Sequence, residues 1–327
     1  MPSAVIFSEC LMGHKKLAAR ADNAQKRLKK VCDAFDRYAT EFSEYSSFVY
    51  CAGSLGRGDI GEQSDLDMFV GTTKNEQKRQ HLVEIRLLAC AIEVNKTLGY
   101  EPFSNDGEYL KVYPLEKTLK VLGAPSDDSE NLFTARMLML LESKCVCNGE
   151  IYNESLTRII EHYFRDSRDR QSFTPLFLLN DLLRYWRTLC LNYELTRDDQ
   201  NRPWRKKNIN LKFSRRLTVF GTVLPIIISR ANSVSGIQAL VSLSPHERFA
   251  KGLDQLNDDS LLEEYSEFLD DYESFLSWKE AMGTTSAQSG EELAQELKDA
   301  AQRFSDFFYK VATHESIDLE LKKILML

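Results

Sequence analysis

The chain has 327 residues, of which 43% are hydrophobic and 28% charged, a composition that excludes a disordered or fibrous protein and allows one large domain or two. Its net charge of −7 argues against a protein that coats nucleic acid through bulk attraction. No apolar run has the length to span a bilayer: the best, Val219–Ser229, is short and contains Pro225, so no membrane partner is expected.

In chain order, Lys15–Tyr45 reads as helical, with apolar positions at Leu17, Leu28, Val31, Phe35 and Tyr38. Two short apolar runs, Phe48–Ala52 and Met68–Val70, read as strands joined by a glycine-bearing turn. Lys74–Leu98 reads as a helix whose stripe is Leu82, Ile85, Leu88, Ala89 and Ile92, with Gly99 as its stop. Tyr109–Tyr113 is a short β-rich run, and Asn131–Glu142 and Glu154–Phe164 are helical. From Pro175 onward only helices are expected: Leu176–Glu194, Asn208–Ser229, Ser260–Trp278 and Glu291–Ala312, with Gly283–Gly290 as a flexible connector. Strands early and helices late predict an α+β protein. Its expected plan is a small mixed β-sheet core flanked by helices over residues 1–150, followed by an all-helical half over 151–327.

The N-terminus lacks a basic leader and carries Glu9 beside its short apolar stretch, so no secretory signal is expected. Seven cysteines at 10, 32, 51, 90, 145, 147 and 190 suit reduced thiols in the cytoplasm better than a disulfide framework. Cys145-Val146-Cys147 has no second cysteine or histidine pair nearby, so a zinc site is not expected.

The densest chemistry lies in Cys51–Val70, CAGSLGRGDIGEQSDLDMFV. Residues two apart on a strand share a face, so Asp65 and Asp67 point the same way. Like charges held that close repel unless a cation neutralises them. Hard divalent cations that bridge carboxylates and substrate phosphate are the usual reason for such a pair. A surface turn explains Gly56, Gly58 and Gly61, but not two aspartates flanking Leu66 as a strand begins.

Ala52, Gly53, Ser54, Asp65, Leu66, Asp67 and Met68 resemble the signature of the DNA polymerase β-like nucleotidyltransferase superfamily: an apolar residue, Gly-Ser, a gap of about ten residues, then Asp-apolar-Asp-apolar. The resemblance is sharp over that stretch and looser beyond it. It implies a nucleotidyltransferase core that moves a nucleotide from an NTP or dNTP onto a hydroxyl with Mg²⁺ (or Mn²⁺). Asp65 and Asp67 are then the metal ligands, while Ser54 and the backbone around Gly53 hold the triphosphate tail, with Arg57 beside them. The superfamily's third carboxylate, on a later strand, takes the proton of the attacking hydroxyl. Glu108 is the expected residue, although strand alternation through Tyr109–Tyr113 sets Lys111 where an acid belongs.

Two segments of opposite charge depart from the average. Arg202–Arg216 holds seven basic residues and no acidic one; Asp254–Glu273 holds nine acidic residues and no basic one. Asn180, Arg184 and Arg187 share a helix face, and arginine suits phosphate because its planar fork donates in pairs. That chemistry makes Arg184 a candidate nucleotide contact, the alternative being solvation or pairing with Asp181 and the acidic segment. Resemblance suggests that Lys212, Arg215 and Arg216 bind nucleotide; the alternative is a basic face answering the acidic segment within the fold. The expected function is template-independent synthesis of an oligonucleotide or nucleotide signal, in the manner of bacterial antiphage-defence relatives. Nucleotidylation of a protein or RNA acceptor and a catalytically degenerate scaffold are the alternatives.

Overall fold

A computed structural model describes residues 13–103, 107–167, 173–195, 208–284 and 290–326. The chain divides into two units. A sheet unit takes residues 20–60 and 64–168, and a helical unit takes residues 1–19, 61–63 and 169–327. No helix among the described residues is long and apolar enough to cross a membrane.

α1 (Lys15–Phe35) belongs to the sheet unit from Arg20 onward, and a 3-10 turn at Asp36–Tyr38 joins it to α2 (Ala39–Glu44). Then come β1 (Ser47–Cys51), α3 (Gly53–Arg57), β2 (Met68–Thr72), α4 (His81–Thr97) and β3 (Val112–Pro114). Next are α5 (Leu115–Lys120), α6 (Pro125–Ser129), α7 (Leu132–Glu142), β4 (Lys144–Cys147) and α8 (Gly149–Tyr163). Among the described residues the sheet has four strands in the order β3-β2-β1-β4. β1 runs antiparallel to β2 (Cys51 opposite Met68) and to β4 (Cys51 opposite Lys144), whereas β2 and β3 are parallel (Val70 opposite Val112).

Both faces of β1 and β2 are buried, which is why they read as unbroken apolar runs rather than as alternation. One face, with Val49, Cys51, Met68, Val70 and Val112, packs on Val31 and Phe35 of α1 and on Leu87, Ala91 and Val94 of α4. The other carries a ladder of rings, with Phe48, Tyr50, Phe69 and Tyr113 at centroid separations of 6.3, 5.2 and 5.7 Å in turn. Tyr152 of α8 closes edge-on over Phe48 at 5.8 Å.

Several expectations need correction. The helix expected from Lys74 starts at His81, because residues 74–80 hold only a 3-10 turn. Its buried face is Glu84, Leu87, Cys90, Ala91, Val94 and Asn95, not the stripe through Leu82 and Ile92. The helix carries two apolar stripes, and periodicity alone could not choose between them. β3 starts at Val112 rather than Tyr109, since a turn closed by Leu110 N–H on the Gly107 carbonyl (2.8 Å) occupies the preceding residues. β4 replaces what reads as an isolated cysteine pair.

The helical unit contains α9 (Leu176–Leu195), a π-helical turn at Leu211–Arg215, α10 (Arg216–Ser229), α11 (Val234–Val241) and α12 (Pro245–Asp254). It ends with α13 (Asp259–Thr284), α14 (Gly290–Ala312) and α15 (Leu319–Met326). The expected connector Gly283–Gly290 begins inside α13, and its residues 285–289 lie outside the described residues. α12 starts with a capping box: Ser244 Oγ accepts from Glu247 N–H, and Glu247 Oε2 accepts from Ser244 N–H at 2.6 Å. Phenylalanines dominate the core, with Phe268 stacked on Phe304 at 3.9 Å and Phe213 on Phe275 at 4.8 Å. The buried Arg248 donates to the carbonyls of Leu240, Val241 and Leu243, satisfying the C-terminal end of α11.

Candidate functional site

β1 ends at Cys51, Ala52 stays extended, and the backbone then turns left-handed at Gly53 (φ +64°) to start α3. That turn needs glycine for two reasons. The φ is one that side-chain-bearing residues rarely adopt. A Cβ on Gly53 would also overlap a carboxylate oxygen of Asp67 and stand 3.3 Å from its Cγ. The backbone locks the same two segments together, because Ala52 N–H donates to the Asp67 carbonyl at 2.9 Å, one pair beyond the β1–β2 ladder. Gly53 and Asp67, separated by a whole loop in sequence, are therefore in contact.

The loop is closed at its near end by Gly58 (φ +85°), whose N–H donates to the Ser54 and Leu55 carbonyls, and by Asp59 N–H on the Ser54 carbonyl at 3.0 Å. Gly56 has no room for a side chain, since a Cβ would collide with the Glu142 carbonyl. α3 thus rests directly on the C-terminal end of α7. At the far end Leu66 is buried in the core, while Asp65 is exposed and Asp67 half-buried. β2 itself begins only at Met68, so Asp65 and Asp67 stand just before the strand on which the spacing places them. Burial holds the Cys51 thiol protonated, and the Asp67 carboxylate is among the charges that reinforce it.

The structure treats the other expected residues differently. Ser54 is buried at the start of α3. Arg57 is buried too, with its guanidinium 2.8 Å from Glu142 Oε2 and 3.3 Å from Asp59; this guanidinium pins α3 to α7. Glu108 stands exposed on the turn before β3. Lys111 donates to the Glu130 carbonyl and lies over the Tyr113 ring, 5.2 Å from its centroid, and burial pulls its ammonium pKa down. Among the described residues no group of three or more His, Cys, Asp or Glu side chains gathers at metal-binding separation. β4 brings Lys144 to the position opposite Cys51. Sequence reasoning missed this lysine near the Gly-Ser turn; its only signal was the strand-like Lys-Cys-Val-Cys run.

Arg184, Lys212, Arg215 and Arg216 belong to the helical unit. On α9, Asn180 and Arg187 are exposed, and Arg184 lies 3.5 Å from Asp181. Lys212 and Arg215 sit on the π-helical turn, a distortion frequent at functional sites. Arg216 lies over the Trp186 ring, 5.6 Å from its centroid, and burial pulls its pKa down. Trp204–Lys207 fall outside the described residues. The acidic segment finds partners elsewhere: Arg303 on Asp271, Lys310 on Glu264, His14 on Asp270 and His314 on Asp258.

No protein-family model, no curated protein and no solved structure matches this chain.

Proposed function

We propose that the chain is a metal-dependent nucleotidyltransferase that moves a nucleotide from an NTP or dNTP onto a hydroxyl acceptor. The contact between Gly53 and Asp67 supports this reading best. A phosphate-approachable glycine turn and a carboxylate pair are of little use to each other unless one ligand bears both phosphate and cation. The donor set fits Mg²⁺ or Mn²⁺: two hard carboxylates, Asp65 and Asp67, turned out of the core. Such a cation supplies charge neutralisation for the triphosphate and its leaving pyrophosphate.

The chain's own groups have the remaining roles. Ser54 and the Gly53–Ser54 backbone hold the phosphate tail by hydrogen bonding, and Leu66 keeps the two carboxylates aimed alike. Arg57, held by Asp59 and Glu142, supports α3 and takes no phosphate. Arg184, Lys212, Arg215 and Arg216 belong to the helical unit, and no place in this turn is assigned to them. Template-independent synthesis of an oligonucleotide or nucleotide signal, in a defence setting, is the form of the activity proposed.

Lys111, held on the Glu130 carbonyl where the resemblance calls for an acid, favours a second reading, a nucleotide-binding scaffold without turnover. Incubating the purified protein with each labelled NTP and dNTP, with Mg²⁺ or Mn²⁺ and with RNA or protein acceptors, separates the possibilities. Ladders or cyclic products that vanish in Asp65→Asn and Asp67→Asn support synthesis, and a labelled acceptor band supports nucleotidylation. Nucleotide binding without any product leaves the scaffold.

A further inference from the structure

α4 is apolar on two faces. Leu87, Cys90, Ala91 and Val94 enter the core of the sheet unit. On the other side Leu82, Ile85 and Ile92 are 79%, 48% and 49% exposed, with Ala89 exposed among them. At about 100° per residue these four fall within an arc of roughly 80°, along about 15 Å of helix axis. Single exposed leucines need no explanation, but an ordered stripe of large aliphatics does.

The charges beside the stripe indicate what covers it. Arg86 and Glu93 are two turns apart and so lie on the same flank. When two copies of a helix pack antiparallel about a two-fold axis, like flanks meet, and a residue before the axis faces one equally far after it. With the axis at Ala89, Arg86 of one copy comes beside Ile92 and Glu93 of the other, and symmetry repeats the pair. Ile85 then packs toward Ile92 of the second copy, and Leu82 lies along the aliphatic stem of Lys96. A parallel pair would set Arg86 level with Arg86 and Glu93 level with Glu93. Arg86 already binds Glu41 through Nε (3.0 Å) and Nη2 (2.6 Å), which leaves Nη1 for a second carboxylate. Glu93 is exposed and has no ion pair among the described residues. Ala89, the smallest side chain of the stripe, stands where the two backbones come closest, at about 8 Å.

We propose that the Leu82–Ile92 face of α4 is a self-association surface, joining two copies of this chain in antiparallel register about Ala89. One helix per copy makes a small interface, so the dimer is weak, with a Kd on the order of 10 µM. Sedimentation velocity over a concentration series that brackets this value should show a monomer–dimer equilibrium. Ile85→Glu should weaken it at least about tenfold; the residue is exposed, so an unchanged circular dichroism spectrum and melting temperature serve as the folding check. Under mild oxidation Ala89→Cys should form a reducible covalent dimer, and Lys120→Cys, on exposed α5, should not. A wild-type monomer at every concentration overturns the proposal. So does a dimer that Ile85→Glu leaves intact and Ala89→Cys fails to trap. A monomer that binds lipid vesicles or a different protein through this face overturns the choice of a second copy.

Discussion

Two ion pairs, one in each unit, hold their charges in opposite ways. In the sheet unit the Arg57 and Glu142 side chains are 6% and 0% exposed and meet at 2.8 Å. In the helical unit Lys310 pairs with Glu264 while both side chains stay exposed, at 49% and 40%. A buried pair has one geometry available and can fix a backbone segment in place. An exposed pair adapts to its surroundings and fixes little. The Gly53 turn is braced by the first kind, and the acidic helix α13 carries a pair of the second at Glu264.

Arg57→Ala should break this contrast open most widely. It leaves the Glu142 carboxylate charged and buried, so unfolding by urea should show a loss of about 3–5 kcal/mol. Lys310→Ala should cost under about 1 kcal/mol in the same assay. Equal losses would mean that burial does not distinguish the two pairs.

Gly53→Ala and Gly58→Ala sharpen the contrast inside the sheet unit itself. Both glycines have positive φ, +64° and +85°, so each variant should lose about 1 kcal/mol through backbone strain. Only Gly53 touches Asp67, whereas a Cβ on Gly58 meets nothing within 4 Å. Nucleotide transfer should therefore fail in Gly53→Ala and survive in Gly58→Ala, as measured with labelled nucleotide at matched melting temperature.

Alkaline titration compares the units by their thiols. Burial pushes Cys90 up to about 11, and Cys145 and Cys147 up to about 12, from an ordinary 9.0. A group raised in this way stabilises the fold while neutral; its contribution is complete below about pH 9 and fades as the pH climbs toward the folded values. The melting temperature should hold up to about pH 9 and fall above it, with the sheet unit, which carries all three thiols, opening first. The smallest effect on stability is expected for Lys212→Glu. Its melting temperature should match the wild type while KM for the nucleotide rises; the reverse outcome would make Lys212 a structural residue.

Position by position, what the sequence revealed follows from how each feature is made. β1, β2 and the turn at Gly53 were legible because each is marked locally: an apolar run for each strand, and glycine where the backbone takes positive φ. The capping box at Ser244–Glu247 was equally legible and went unread. β4 was not, since four residues become a strand only by pairing with β1. The expected strand at Tyr109–Lys111 had the right composition, yet the chain turns there. The role of Arg57 was hidden because its partner Glu142 is remote in sequence, and the basic residues of α9 and the π-helical turn follow no spacing that would mark one of them out.

That remoteness shapes how the molecule comes to its native state. Arg57 and Glu142 are separated by 85 residues, and the Glu142 carbonyl is also the surface against which Gly56 closes. The conformational entropy of that long loop must be lost before either contact can form. A nascent chain that has emerged only as far as α4 carries every letter of the Gly-Ser and Asp-Leu-Asp signature but lacks the helix end that shapes it. The Gly53 turn is thus complete only when α7 docks, although its sequence is complete near the start of synthesis.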